Sequence, residues 1–300
     1  MTVSADRPAD ASAGPIVSVL MPAHNAERFL RAAIESVRAQ TLTRFELVIV
    51  DDGSRDGTLA IARELAAADP RIRVLPNERN LGIVESRNRA LREAHPASRY
   101  FAIFDADDEC MPDRLERQAR YLDTQPACAL VGGHTLIIDE QGRELGVRRY
   151  PTTDAQIRSV ITRFNPFAQP TAMIRRSALD VVGEYDSSYP RCQDYDLWLR
   201  IADRFEVANL DAVTLKYRIS STQGKTTRLK DSLRYTVAIQ RKWLFHRGLF
   251  RPYNVLYWAA EHGLLLLPDA VVLKLFKAMT YRRSAMSTRM QPGEPPGEPR

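Results

Sequence analysis

IVSVLMPAHNAERFLRAAIESVRAQTLTRFELVIVDDGS, residues 16–54, decides the fold. Its ends, Ile16 to Met21 and Phe45 to Val50, are short β-branched apolar runs of the kind buried on both faces of a parallel sheet. Between them Phe29, Leu30, Ala33, Ile34 and Val37 recur at helical spacing. The alternation continues outward: a helix from about Thr58 to Ala67, a strand at Arg71 to Leu75, a helix from about Ile83 to Ala94, then the run Tyr100 to Phe104. Strands and helices alternating at these lengths predict crossover units and a Rossmann-like parallel α/β sheet. Ligands collect at the carboxyl ends of such strands. Pro22-Ala23-His24-Asn25, Asp51-Asp52-Gly53-Ser54 and Asp105-Ala106-Asp107-Asp108 all fall there, so three polar motifs describe one site.

Three carboxylates packed behind a buried strand, Asp105, Asp107 and Asp108, are costly unless a cation neutralises them. A hard ion such as Mg²⁺ takes one or two carboxylates and completes its sphere with water and phosphate oxygens, which points to a metal-held diphosphate. The alternative is a helix N-terminus before Pro112-Asp113-Arg114-Leu115, where Asp suits free amides and the dipole.

After Asp108 the rhythm changes. Ala129 to Ile138 and the stretch after Asp139-Glu140-Gln141-Gly142 read as an antiparallel hairpin, with further strands at Thr171 to Ile174 and Val213 to Ile219. The second half is therefore mixed, and from about Asp231 the pattern is helical. Of 300 residues, 44% are hydrophobic and 27% charged, enough for one large domain or a domain with an appendage. The expected division is a disordered tail over 1–14, the α/β domain over 15–228, a basic helical region over 229–286 and a Pro/Gly/Glu-rich tail over 287–300. The first residues lack the basic and apolar parts of a secretion signal, so a cytoplasmic protein is expected. Cys110, Cys128 and Cys192 are widely spaced with no zinc pattern and read as reduced and structural. Of the charge of +6, the segment Ser232 to Ala285 carries nine Lys and Arg against only Glu261 and Asp269. The basic character belongs to what that segment touches.

VSVLMPAHNAERFLRAAIESVRAQT, FELVIVDDGSRDGT, NLGIVESRNRAL, FDADDECMPDRL and QDYDLWLR, in this order, resemble the family 2 glycosyltransferases of the GT-A fold over roughly residues 16 to 220, and in particular the single-transfer enzymes of bacterial surface polysaccharides. Each motif is weak alone; five in sequence are specific. The resemblance implies that Pro22, His24 and Asn25 face the nucleoside, with Asn25 capping the next helix as the structural alternative. It implies that Asp52 accepts from the imide N–H of uracil or thymine while Asp51 is its structural neighbour. Gly53 and Gly57 fit the turn beside the base, although Asp56-Gly57-Thr58 reads equally as a helix start. Arg87 lies near the nucleotide, against the alternative of a solvated face shared with Arg89 and Arg92. Asp105 contacts the ribose and metal region, Asp107 ligates Mg²⁺ or Mn²⁺ bridging the phosphates, and Asp108 is an understudy for that role. Asp194 matches the catalytic base, with helix capping as its rival, and Asp196 is structural. Many members carry Glu where this chain has Gln193.

Two departures shape the reading. Processive synthases carry Gln-x-x-Arg-Trp and membrane-spanning helices, whereas Gln240-Arg241-Lys242-Trp243 has the wrong order and no apolar run is long enough to span. No His follows the last strand in Tyr217-Arg218-Ile219-Ser220-Ser221-Thr222, so Lys225 or Arg228 is expected to cover the diphosphate instead. The expectation is a metal-dependent inverting transferase that moves a sugar from a UDP- or dTDP-sugar to a saccharide or lipid-linked saccharide acceptor, without nucleic-acid partners. Its rivals are a sugar-phosphate nucleotidyltransferase, whose Gly-rich N-terminal loop Pro22-Ala23-His24-Asn25 replaces, and an inactive nucleotide-sugar-binding protein, against which both Asp107 and Asp194 speak. Leu264 to Met279 (LLLLPDAVVLKLFKAM), preceded by Trp243, Tyr257 and Trp258, predicts peripheral contact with an anionic membrane at the cytoplasmic face of the inner membrane. Packing of that segment onto the protein or a second subunit is the alternative.

Overall fold

Burial of both faces makes the first strands predominantly apolar, with Ser18, Glu46 and Asp51 as their buried polar exceptions. Every residue of β1 (Val17–Ala23) and β2 (Phe45–Asp51) is buried in the computed structural model, which describes residues 14–219, 229–245, 252–268 and 271. Helix α1 (Glu27–Arg38) covers them with Leu30, Ala33, Ile34 and Val37. Phe29, which shares their spacing, is only partly buried and lies beneath the guanidinium groups of Arg28 and Arg218, at 4.7 and 4.6 Å. The alternation continues through α2 (Thr58–Ala68), β3 (Ile72–Pro76), α3 (Ile83–Glu93) and β4 (Tyr100–Ile103). These four strands run parallel in the order β3-β2-β1-β4. Register aligns Ala23 with Asp51 and Leu20 with Ile103, which brings the three polar motifs to one edge.

The second half is mixed, as its rhythm predicts. It comprises β5 (Glu109–Cys110), α4 (Arg114–Thr124), β6 (Cys128–Ile138), β7 (Glu144–Arg148), α5 (Asp154–Val160), β8 (Met173–Arg175), α6 (Arg176–Val182), α7 (Gln193–Arg204) and β9 (Glu206–Arg218). Strand β8 is antiparallel to both β4 and β6, and β7 forms the expected hairpin with β6. Strand β9 starts at Glu206, well before Val213, because it pairs along the whole of β6 in parallel. The sheet order is β3-β2-β1-β4-β8-β6-β9-β5, with β7 beside β6 and a hydrophobic core on each face.

Helix α8 (Leu229–Trp243) docks on this body. Its Ile239 and Trp243 join the core that contains Leu20, Ile103 and Trp198. Lys242 Nζ reaches Asp196 Oδ1 at 3.1 Å, and Gln240 Nε2 donates to the Arg163 carbonyl at 2.8 Å. Helix α9 (Pro252–Leu264) packs on α8, where Trp258 Nε1 donates to the Val237 carbonyl at 3.2 Å. Trp243 is thus a core residue, whereas Leu256 and Tyr257 are exposed. Within the Leu264 to Met279 segment, only 264–268 and Val271 belong to the described residues; Lys225, Arg228, the expected tail at 287–300 and all of the expected tail at 1–14 except Gly14 lie outside them.

Candidate active site

The loop after β1 is tied to the loop after β2. His24 Nδ1 lies 2.9 Å from the Asp52 carbonyl, and its Nε2 lies 3.1 Å from Asn25 Nδ2. An amide NH₂ only donates, so Nε2 accepts and the ring proton sits on Nδ1. Asn25 does not cap α1. The helix begins after Ala26 without a side-chain cap, and Asn25 instead accepts from the Arg55 N–H at 2.9 Å and donates its own N–H to Ser54 Oγ at 3.0 Å. Gly57 sits at the N-cap of α2, so Asp56-Gly57-Thr58 is a helix start, and its N–H is bound by Glu27 Oε2 at 2.5 Å.

Asp52 is 4% exposed, and its carboxylate organises the next loop. It accepts from Asn77 Nδ2 at 2.7 Å, the Leu81 N–H at 2.8 Å and the Gly82 N–H at 2.9 Å. A carboxylate offers about four lone-pair sites, so these bonds leave room for one further donor. Gly53 has φ +65°, and a Cβ there would lie 2.6 Å from the Arg79 carbonyl carbon and Asn80 nitrogen. That close approach requires glycine. A cleft of about 720 Å³ opens here, with Pro22, His24, Asp52, Ile83 and Ser86 among its lining and Arg191 opposite in the chain. Its volume suits a small-molecule site. Sequence reasoning missed Arg191, which carries no local signal and reaches the cleft only through the turn before α7.

At the end of β4, Asp105 pairs with Arg87, Nη2 to Oδ1 at 2.8 Å. The Arg87 side chain is 7% exposed, so it is no part of a solvated face. Asp107 is partly buried, and its carbonyl accepts from Arg218 Nε at 2.9 Å. Asp108 is buried, and its Oδ1 accepts the Arg218 backbone N–H at 2.8 Å, which pins the loop to β9. Arg114, fully buried, donates to the Ile103 carbonyl at 2.9 Å and braces the end of β4. Helix α4 starts after Asp113, so none of Asp105, Asp107 or Asp108 is its N-cap. Among the described residues no group of three or more His, Cys, Asp and Glu is arranged to hold an ion. Asp105 and Asp107 are both partly exposed carboxylates in the loop after β4, a donor chemistry that suits a hard cation such as Mg²⁺ or Mn²⁺ completed by water and phosphate oxygens.

Asp194 lies in the first turn of α7, whose N-cap is Cys192 in a left-handed conformation, φ 57°. Asp194 is therefore not the cap. Asn165 Nδ2 donates to its Oδ2 at 2.8 Å, and Gln169 lies between it and Arg87. Asp196, fully buried, pairs with Arg200 at 2.8 Å and Lys242 at 3.1 Å, the structural role expected of it. Burial pushes the Tyr185 hydroxyl, beside Arg87 and Asp194, well above its ordinary pKa, so it stays protonated and donates. Asn165, Gln169 and Tyr185 escape sequence reasoning because they lie outside the long periodic elements, Gln169 on a single 3-10 turn.

Residues 18–183 match the family model of glycosyl transferase family 2. The amylovoran biosynthesis glycosyltransferase AmsE of Erwinia amylovora is 30% identical over 266 residues, 87% of this chain and 97% of the relative. Among solved structures, S. aureus TarS in complex with UDP superposes with a TM-score of 0.60 at 21% identity, covering 82% of this chain and 70% of that one. The mannosyltransferase PcManGT from Pyrobaculum calidifontis in complex with GDP-Man and Mn²⁺ gives 0.60 at 18% identity, covering 93% and 86%. At those identities the likeness shows the fold, the GT-A type expected from the sequence.

Proposed function

The chain belongs to glycosyl transferase family 2, and we propose that it moves a sugar, with inversion, from a UDP- or dTDP-sugar to an acceptor hydroxyl of a lipid-linked saccharide in bacterial surface-polysaccharide synthesis. One observation carries the reading: the buried residues Arg87 and Gln169 join Asp105, at the end of the strand beside β1, to Asp194 on α7, on the same side of the sheet as the cleft after β1 and β2. The nucleoside occupies the cleft, where Asp52 has room for one donor N–H of a pyrimidine imide and His24 and Asn25 hold the β1 loop in place. The diphosphate lies toward Asp105 and Asp107, which would hold Mg²⁺ or Mn²⁺; an ion held there would offset negative charge on the leaving diphosphate. Asp194 takes the proton of the acceptor hydroxyl as its oxygen attacks the anomeric carbon from the side opposite the leaving group. One displacement inverts the centre. Arg87 neutralises Asp105 and keeps it oriented.

Peripheral contact with an anionic membrane belongs to the same reading. It is supported by exposed Leu256, Tyr257 and Leu266 and by the basic residues later in the sequence, and no helix among the described residues is long and apolar enough to cross a membrane. Calorimetric titration with UDP, dTDP and GDP tests the donor site. UDP or dTDP is expected to bind with Mn²⁺ or Mg²⁺ and at least about 10-fold more weakly in chelator. Equal affinity with and without metal removes Asp107 from its role, and preference for GDP moves the donor to a purine nucleotide.

A further inference from the structure

The structure assigns to Gln169 the task of positioning the Asp194 carboxylate, an inference that rests on the reading of Asp194 as the base. Gln169 is 9% exposed and sits on a 3-10 turn, Gln169–Thr171. That turn is itself fastened: Thr171 Oγ1 donates to the Ala168 carbonyl at 2.7 Å, and Gln118 Nε2 donates to the Thr171 carbonyl at 2.7 Å. The partners of the Gln169 amide fix its orientation. An oxygen turned toward Asp194 would face only an acceptor, and a nitrogen turned toward Arg87 would face only donors. With the amide the other way, its oxygen accepts from Arg87 Nη1 at 3.1 Å, Arg87 Nε at 3.2 Å and the Tyr185 hydroxyl at 3.2 Å, while its nitrogen donates to Asp194 Oδ2 at 3.2 Å.

Asn165 Nδ2 donates to the same Oδ2 at 2.8 Å. Two amides four residues apart in the stretch between α5 and β8 converge on one carboxylate oxygen and restrict rotation of the group, which is what a base aimed at a single hydroxyl needs. Tyr185 is held in turn by a reciprocal pair with Asn88, its N–H to Asn88 Oδ1 at 3.0 Å and Asn88 Nδ2 to its carbonyl at 2.9 Å. The chain Asp105, Arg87, Gln169, Asp194 thus joins the donor-side carboxylate to the base through buried groups. Arg87 and Tyr185 meet the oxygen end of this amide and Asp194 its nitrogen end, while Asp105 pairs with Arg87.

The test separates the two ends of the amide. Gln169→Glu keeps an oxygen for Arg87 and Tyr185 but replaces the N–H facing Asp194 with an acceptor. Gln169→Met keeps the bulk and removes both functions. Steady-state turnover with an active nucleotide sugar, donor KM and melting temperature are compared for these two, the full-length wild type and Asp194→Asn. Turnover of Gln169→Glu is expected to fall about 10- to 100-fold with donor KM within about 2-fold of wild type and the fold intact, because an interaction confined to the base affects kcat rather than donor binding. Gln169→Met should lower turnover at least as much, and it decides the matter alone should the Glu variant not fold. Turnover within about 2-fold of wild type in a folded variant overturns the assignment, as does a loss confined to donor KM. If Asp194→Asn keeps normal turnover, or the wild type transfers and hydrolyses no nucleotide sugar, it is the parent reading that fails.

Discussion

The two walls of the site are held by different means. On the donor side, Asp52 is gripped by one side-chain amide and two backbone N–H groups of the loop that follows β3, so the chain path itself shapes the cleft. On the base side, Asp194 is gripped by the side-chain amides of Asn165 and Gln169, 29 and 25 positions earlier in the sequence. A backbone-built wall tolerates most side-chain changes and fails where the chain path is disturbed. A wall built of side chains fails one residue at a time, without loss of fold.

The largest expected effect lies on the base side. Asp194→Asn is nearly isosteric and can still meet Asn165 and Gln169 after rotation of its amide, so the fold and donor affinity should persist. Turnover should drop by roughly 10²- to 10⁴-fold, the scale of a lost general base. Asp196→Asn, two positions on, should act instead through stability, since its buried carboxylate pairs with Arg200 and Lys242. Kinetics and thermal melts on both variants check the contrast; normal turnover in a folded Asp194→Asn would remove the base from α7.

The donor side should break in the opposite way. Gly53→Ala introduces a Cβ in a left-handed conformation, 2.6 Å from backbone atoms of Arg79 and Asn80. Backbone cannot yield as a flexible side chain would, so the loop that supplies the Leu81 and Gly82 N–H groups to Asp52 must move. We expect a stability loss of about 2–4 kcal/mol together with weaker nucleotide binding, in contrast to the purely kinetic defect of Asp194→Asn. Denaturant unfolding and calorimetry read both quantities; an Ala variant with unchanged midpoint and affinity would show that the loop is not shaped by this contact.

This division also explains what could be read in the sequence. The parallel half was legible because its information is local: β-branched runs give the strands, and each strand ends in its own polar motif, so Pro22 to Asn25, Asp52 and Asp105 arrive together once register is set. The reading of Asp194 comes from its QDYD motif. Gln169 and Arg191 were not legible, because they lie in chain without periodicity and become neighbours of Arg87 and of the cleft only through the antiparallel strands of the second half. The alternative of an Asn25 cap fails for a related reason: Asn fits an N-cap and a left-handed turn equally well, and the tie to Ser54 and Arg55 selects the turn at φ 50°.

The smallest effect concerns the outermost layer of the base-side half, where α9 meets α8. Glu261 Oε2 accepts from Gln240 Nε2 at 2.7 Å, yet burial of its carboxyl outweighs that bond and raises its pKa above the ordinary value. A carboxyl whose pKa is raised by folding binds its proton more tightly in the folded state. Its contribution is therefore complete below the ordinary value of 4.5 and is lost as pH rises through the raised one. Glu261→Gln keeps an acceptor for Gln240 and removes the ionisation. The variant should match the wild type near pH 4 and melt about 1–2 °C higher at pH 8, a shift of the size expected for a chain this long from under about 1 kcal/mol. Parallel loss of stability in both proteins between those pH values would mean that Glu261 does not bear the cost of ionisation.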